Sequence, residues 1–129
     1  MKSTILIADD EKEIRDLLRL YLENEDYDIV EAEDGLQTLE VIKKRKPDLC
    51  LLDIMMPGKD GLSVLKELRK ESNIPVIIIS ARTADAERIL GLDMGAHDYI
   101  AKPFDLEVLY SRVVAVLRRC KKDMEKDFF

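Results

Sequence analysis

Residues 5–22 read Ile-Leu-Ile-Ala-Asp-Asp-Glu-Lys-Glu-Ile-Arg-Asp-Leu-Leu-Arg-Leu-Tyr-Leu, and two hydrophobic periods meet in them. Residues 5–8 form an apolar run without alternation, the pattern of a strand covered on both faces, as parallel strands are. Farther on, Ile14, Leu17, Leu18, Tyr21 and Leu22 repeat at helical spacing and predict one amphipathic helix. A covered strand leading into such a helix is the start of a β-α unit.

The pairing recurs along the chain. Short apolar runs at 29–30, 49–52, 76–79 and 99–101 predict four more strands. Asp34 with Gln37 three residues later fits a capping box, opening a helix that carries Leu36, Leu39 and Ile42 and must end before Pro47. Gly61 precedes a third helix with Leu62, Leu65 and Leu68. Ala86, Ile89, Leu90 and Met94 mark a fourth, the softest, interrupted by Gly91 and stopped near Gly95. Asp105 caps a fifth, whose inner face is Leu106, Leu109, Tyr110, Val113, Val116 and Leu117. Five β-α units with short connections predict one α/β domain, doubly wound, with helices on both faces of a parallel sheet. The flavodoxin-like (βα)5 order 2-1-3-4-5 is a common solution at this size, and it puts a site at the carboxyl ends of strands one and three.

Composition agrees with a single domain. The 129 residues are 47% apolar and 37% charged, enough for one core and too ordered a balance for a disordered chain. With 21 Lys and Arg against 27 Asp and Glu, the net charge of −6 argues against direct contact with nucleic acid phosphates. No apolar stretch approaches the ~20 residues of a membrane span, and no secretory signal pattern follows Lys2. Cys50 and Cys120 lack metal or disulfide spacing, so reduced thiols in a cytoplasmic protein are expected.

The acidic residues fall where the fold puts its site. Asp9 and Asp10 close the first strand and Asp53 closes the third. Taken alone, Asp9-Asp10-Glu11 reads first as a helix N-terminus, and Asp53 equally as a turn residue before Pro57-Gly58. Their convergence favours a metal site, because crowded carboxylates need a cation and hard oxygen ligands suit Mg²⁺ or Mn²⁺. Ser80 ends the fourth strand and Lys102 follows the fifth, adding a hydroxyl and an ammonium. A carboxylate can accept a phosphoryl group, and that transfer needs chiefly in-line positioning and neutralised oxygens. A phosphate-bearing cofactor would instead want a Gly-rich cradle after the first strand, where Asp-Asp-Glu repels it.

Together, Asp9-Asp10, Asp53 in Asp-Ile-Met-Met-Pro-Gly-Lys-Asp-Gly, Ser80-Ala81 and Lys102-Pro103-Phe104 resemble a response-regulator receiver domain. The resemblance implies a receiver over 1–121, with 122–129 the start of a linker or tail and the output domain absent from this chain. It implies a sensor histidine kinase as phosphoryl donor to Asp53, with self-phosphorylation and autodephosphorylation as the most activity of its own. It further implies Mg²⁺ on Asp10, Asp53 and the Met55 backbone carbonyl, with Asp9 acting through water. Ser80 and Lys102 would bind phosphoryl oxygens, and the Lys102-Pro103 peptide would be cis. Ser80 and Tyr99 would switch on phosphorylation; without the motif, Tyr99 reads as a half-buried strand aromatic with a wet hydroxyl.

The Tyr99 position, Pro103-Phe104 and Arg118-Arg119 are similar to the OmpR/PhoB subfamily. That similarity implies a DNA-binding output domain and a homodimer of active receivers through helix 4, strand 5 and helix 5. Arg88, Asp98 and Arg112 match its dimer-face positions, whereas Val108 and Val114 replace the charges usual there. The alternative is a stand-alone phosphorelay receiver with the same chemistry and no DNA-binding output.

Overall fold

The computed structural model describes residues 2–81 and 85–126, with the side chains of 85–88 and of 121–126 excepted. Five strands alternate with five helices in the predicted order: β1 (Thr4–Ala8), α1 (Lys12–Asn24), β2 (Asp28–Ala32), α2 (Gly35–Arg45), β3 (Leu49–Asp53), α3 (Gly61–Leu68), β4 (Val76–Ser80), α4 (Asp85–Asp93), β5 (Asp98–Ala101) and α5 (Leu106–Lys126). All pairings are parallel and the sheet order is β2-β1-β3-β4-β5. The chain thus reverses direction across the sheet between β1 and β3.

Successive strand residues point to opposite faces, and each face has its own core. Leu6, Ala8, Cys50, Leu52, Val76 and Ile78 pack with Ile42 of α2 and Val64 and Leu65 of α3. Ile5, Ile7, Leu49, Leu51, Ile77 and Ile79 pack with Leu18 and Leu22 of α1 and Leu109, Val113 and Val116 of α5. The central strands β3 and β4 are buried at every position, which explains why their sequences show no alternation.

The helix faces differ from the periodicity in places. In α1 the buried residues are Arg15, Leu18 and Leu22, while Leu17, expected on the inner stripe, is 48% exposed. Leu36 is also exposed, and Thr38 takes the inner position in α2 with its hydroxyl donating to the Asp34 carbonyl at 2.7 Å. Asp34 does cap α2, accepting the Gln37 N–H at 2.8 Å, but the Gln37 side chain reaches back to the Glu33 N–H. Asp60 caps α3 by accepting the Ser63 N–H. Ile89 and Leu90 of α4 are exposed, and Ala86 lies among the side chains outside the described residues.

Gly91 does not interrupt α4. A Cβ there would lie 2.6 Å from the Ile78 side chain, so the glycine lets α4 approach β4 closely. Among the described residues, no helix is long and apolar enough to cross a membrane.

Candidate functional site

Every strand whose carboxyl end was expected to carry a functional group does so. Asp9 follows β1, Asp53 is the last residue of β3, Ser80 is the last of β4, and Lys102 follows β5. Asp9, Asp53 and Ser80 are buried, whereas Asp10 is exposed to solvent. Carboxylate oxygens of Asp9, Asp10 and Asp53 lie within 4.8 Å of one another. Parallel pairing accounts for this convergence: Ala8 is level with Leu52, so the residues after them emerge side by side.

Lys102 compensates the negative charge. Its Nζ donates to Asp9 Oδ2 at 2.9 Å and to Asp53 Oδ2 at 3.1 Å, with Glu11 Oε1 at 3.9 Å. Burial works against its ammonium, but the Asp9 and Asp53 carboxylates outweigh that and hold the Lys102 pKa above its ordinary value. Burial pushes the Asp53 carboxyl up; the Met55 N–H, 3.0 Å from Asp53 Oδ1, opposes the shift, and the Asp9 charge adds to it. One ammonium among three carboxylates leaves a cup with surplus negative charge.

Local chain geometry shapes that cup. A Cβ at Gly61 would run into the Asp53 carbonyl and the Ile54 Cα, and the Gly61 N–H donates to the Ile54 carbonyl at 2.8 Å. The loop after β3 can therefore fold back over Asp53 only with glycine at this position. Met55 exposes its side chain to solvent, and its backbone N–H lies against Asp53. The Lys102–Pro103 peptide is cis.

The donor set fits the expected cation. The three carboxylates are hard oxygen donors, while neither described cysteine belongs to the cluster and Cys50 is buried with its thiol pushed up to about 12.

The remaining predicted positions have distinct surroundings. Tyr99 is 5% exposed and belongs to the core cluster with Ile78, which corrects the half-buried reading. β5 brings it against α4, where the Gly91 backbone makes room. Arg112 Nη1 donates to both Asp98 carboxylate oxygens, at 2.9 and 3.1 Å, within one chain. The Arg88 side chain lies outside the described residues.

Sequence reading missed a buried guanidinium beneath the site. Arg15 donates from Nη1 to the Asp9 carbonyl at 2.7 Å and from Nε to Glu31 Oε1 at 3.1 Å. Its place three residues before Leu18 and seven before Leu22, on the inner helix face, was the available signal.

Comparison with known proteins agrees with this geometry. The family model described as response regulator receiver domain matches residues 5–114. The response regulator GtcR of Aneurinibacillus migulanus is 50% identical over 119 residues, covering 92% of this chain and 49% of the relative. The chain thus spans about half the length of that curated relative. The receiver domain of the Francisella response regulator 1452 superposes with a TM-score of 0.88 at 38% identity, covering 92% of this chain and 99% of that one. The BeF3-activated N-terminal receiver domain of Klebsiella pneumoniae RstA gives 0.86 at 40% identity, covering 89% and 98% respectively. Sheet order, acidic cluster and family match converge on one conclusion: this chain belongs to the response regulator receiver domains, signalling domains that work by phosphorylation.

Proposed function

We propose that Asp53 is the phosphoacceptor and that a sensor histidine kinase supplies the phosphoryl group as phosphohistidine. The observation that carries this reading is the buried Asp53 carboxylate at the open end of the sheet, held by Lys102 at 3.1 Å among Asp9 and Asp10. An Asp53 oxygen attacks phosphorus, a P–O bond forms, the P–N bond to the kinase histidine breaks, and the imidazole leaves with its electron pair. Asp10, Asp53 and the Met55 backbone carbonyl would hold Mg²⁺ or Mn²⁺, with Asp9 acting through water. Such a cation supplies charge neutralisation at the phosphoryl oxygens.

The chain's own groups do the rest. Lys102 lies within reach of Asp53 and exchanges part of that ion pair for a phosphoryl oxygen. Ser80, buried at the end of β4, donates its hydroxyl to a second oxygen. The domain turns over no diffusible substrate; its own activity is self-phosphorylation from small phosphodonors and loss of the acyl phosphate to water.

Signal leaves through the face of α4, β5 and α5. Phosphorylation adds up to about two negative charges. Ser80 moves toward them, and the Tyr99 ring, inward in this structure, becomes locked there. Ile89, Leu90 and Leu92 of α4 and Val108 of α5 are exposed apolar residues on the elements of that face. Two active receivers pair over it as in the OmpR/PhoB subfamily, with Arg88, Asp98 and Arg112 as the charged positions. GtcR is about twice the length of this chain, which leaves room for an output module; we assign it DNA binding and transcriptional control in the cytoplasm.

The test is intact-mass spectrometry after incubation with acetyl phosphate and MgCl2. One added phosphoryl group, labile to hydroxylamine and lost in Asp53→Asn, is the expected result. No adduct and no beryllofluoride uptake would overturn the assignment.

A further inference from the structure

The least expected group in the molecule is Arg15, a guanidinium on the inner face of α1 with only 6% of the residue exposed. Burying a charge is costly unless hydrogen bonds replace its water. Here the replacements are specific. Nη1 donates to the Asp9 carbonyl at 2.7 Å, Nε to Glu31 Oε1 at 3.1 Å, and Nη2 lies 3.5 Å from Glu33 Oε1. The other Glu31 oxygen is held by Arg19. Two turns of α1 are thus tied to the end of β2 and to the residue that closes β1.

The Asp9 carbonyl is not an arbitrary acceptor. It belongs to the peptide unit joining Asp9 to Asp10, and that unit is planar, so fixing its oxygen fixes its nitrogen and the direction in which the Asp10 Cα follows. The Asp9 N–H is fixed from the other side by the Ala32 carbonyl at 3.1 Å. Asp10 is exposed and takes its position from this backbone. Asp9 Oδ1 also accepts the Glu11 N–H at 2.9 Å and closes a turn around Asp10, whereas Glu11, the N-cap of α1, makes no side-chain cap hydrogen bond, so the Asp9 carbonyl takes its side-chain support from Arg15. Glu31 and Glu33 offset the guanidinium charge, so the support does not repel a cation from the cup.

We propose that Arg15 is a positioning residue for the acidic site: by clamping the Asp9–Asp10 peptide it presents both carboxylates to a divalent cation before the cation arrives. The inference rests on the reading that this cluster takes Mg²⁺. It adds a residue that touches neither the metal nor the phosphoryl group. The shape of the donor matters as well as its charge, because a planar fork spans the Asp9 carbonyl and Glu31 together, whereas a lysine ammonium is a single point on a flexible stem.

Calorimetric titration of the full chain with MgCl2 tests it. Partners that orient metal ligands typically change affinity by about 10–100-fold when removed. Arg15→Met is expected to weaken Mg²⁺ binding by about tenfold, with Arg15→Lys and Glu31→Gln in between. Labelling of Arg15→Met by acetyl phosphate should recover at saturating MgCl2, which a general loss of folding would not allow. Arg69→Met, which removes two part-buried hydrogen bonds to the Gly95 carbonyl at the opposite edge of the sheet, should lower thermal stability and leave Mg²⁺ affinity unchanged. Wild-type affinity in folded Arg15 variants would overturn the proposal. If Arg15→Met does not fold, Arg15→Lys and Glu31→Gln decide by the same criterion. Failure of the wild-type chain itself to bind Mg²⁺ would strike the metal site, not the clamp alone.

Discussion

The two edges of the sheet handle polar groups in opposite ways. At the amino edge each described pairing finds a complement. Thr4 N–H donates to Asp48 Oδ2 and the Asp48 N–H returns to the Thr4 carbonyl, both at 2.7 Å. His97 does the same for β4: its ring Nδ1 accepts the Val76 N–H at 3.2 Å, and its backbone N–H donates to the Val76 carbonyl at 2.7 Å. Arg69 closes the turn before β5 with two bonds to the Gly95 carbonyl, at 3.1 and 2.8 Å. At the carboxyl edge, by contrast, three carboxylates share one ammonium. The amino edge is built for stability, and the carboxyl edge stores repulsion that a cation and a phosphoryl group can use.

That contrast can be broken most sharply at Asp53. Asp53→Asn should abolish phosphoryl labelling while leaving the thermal midpoint unchanged or higher, since it removes one of the crowded charges and leaves Lys102 its bond to Asp9. A large loss of stability in a melting experiment would show that the carboxyl edge is structural after all. Next in size is Gly61→Ala. Its methyl group meets backbone rather than a movable side chain, so a loss of at least about 1–3 kcal/mol is expected by denaturant titration, with weaker Mg²⁺ binding.

A smaller effect is expected at the amino edge. Burial lowers the His97 pKa below its ordinary value of 6.5, with Arg69 and Arg119 adding to the shift. The folded state therefore binds the proton less readily than the unfolded chain. The stability His97 contributes is complete above about pH 6.5 and falls as pH drops toward the folded-state value. His97→Ala should flatten the pH dependence of the melting temperature in that window, and loss of the bond to the Val76 N–H should cost about 0.5–1.5 kcal/mol near neutrality. The smallest expected change is at Cys50, whose buried thiol, pushed up to about 12, should resist alkylation until the protein unfolds.

What could be read in advance followed from local periodicity. Unalternating runs such as Val76–Ile79 fit strands hidden on both faces, and the helical stripes between them close the five-unit count. Asp9, Asp53, Ser80 and Lys102 could be located because each adjoins a strand end, and strand ends share an edge once the order is known. Helix faces were less legible. Leu17 obeys the stripe yet faces water, and Arg15 breaks it yet is buried, because hydropathy does not register a guanidinium whose partners come from Asp9 and Glu31. Gly91 read as an interruption, but its role is close packing against Ile78.

Sequence by itself therefore determined the elements, their alternation and the residue types available for chemistry, since these depend on neighbours along the chain. Tertiary structure alone decided which carboxylates face Lys102, where Tyr99 packs, and that Arg15 grips the Asp9–Asp10 peptide. Those relations join residues such as Asp9 and Lys102, 93 positions apart, and they exist only after the strands have set their register.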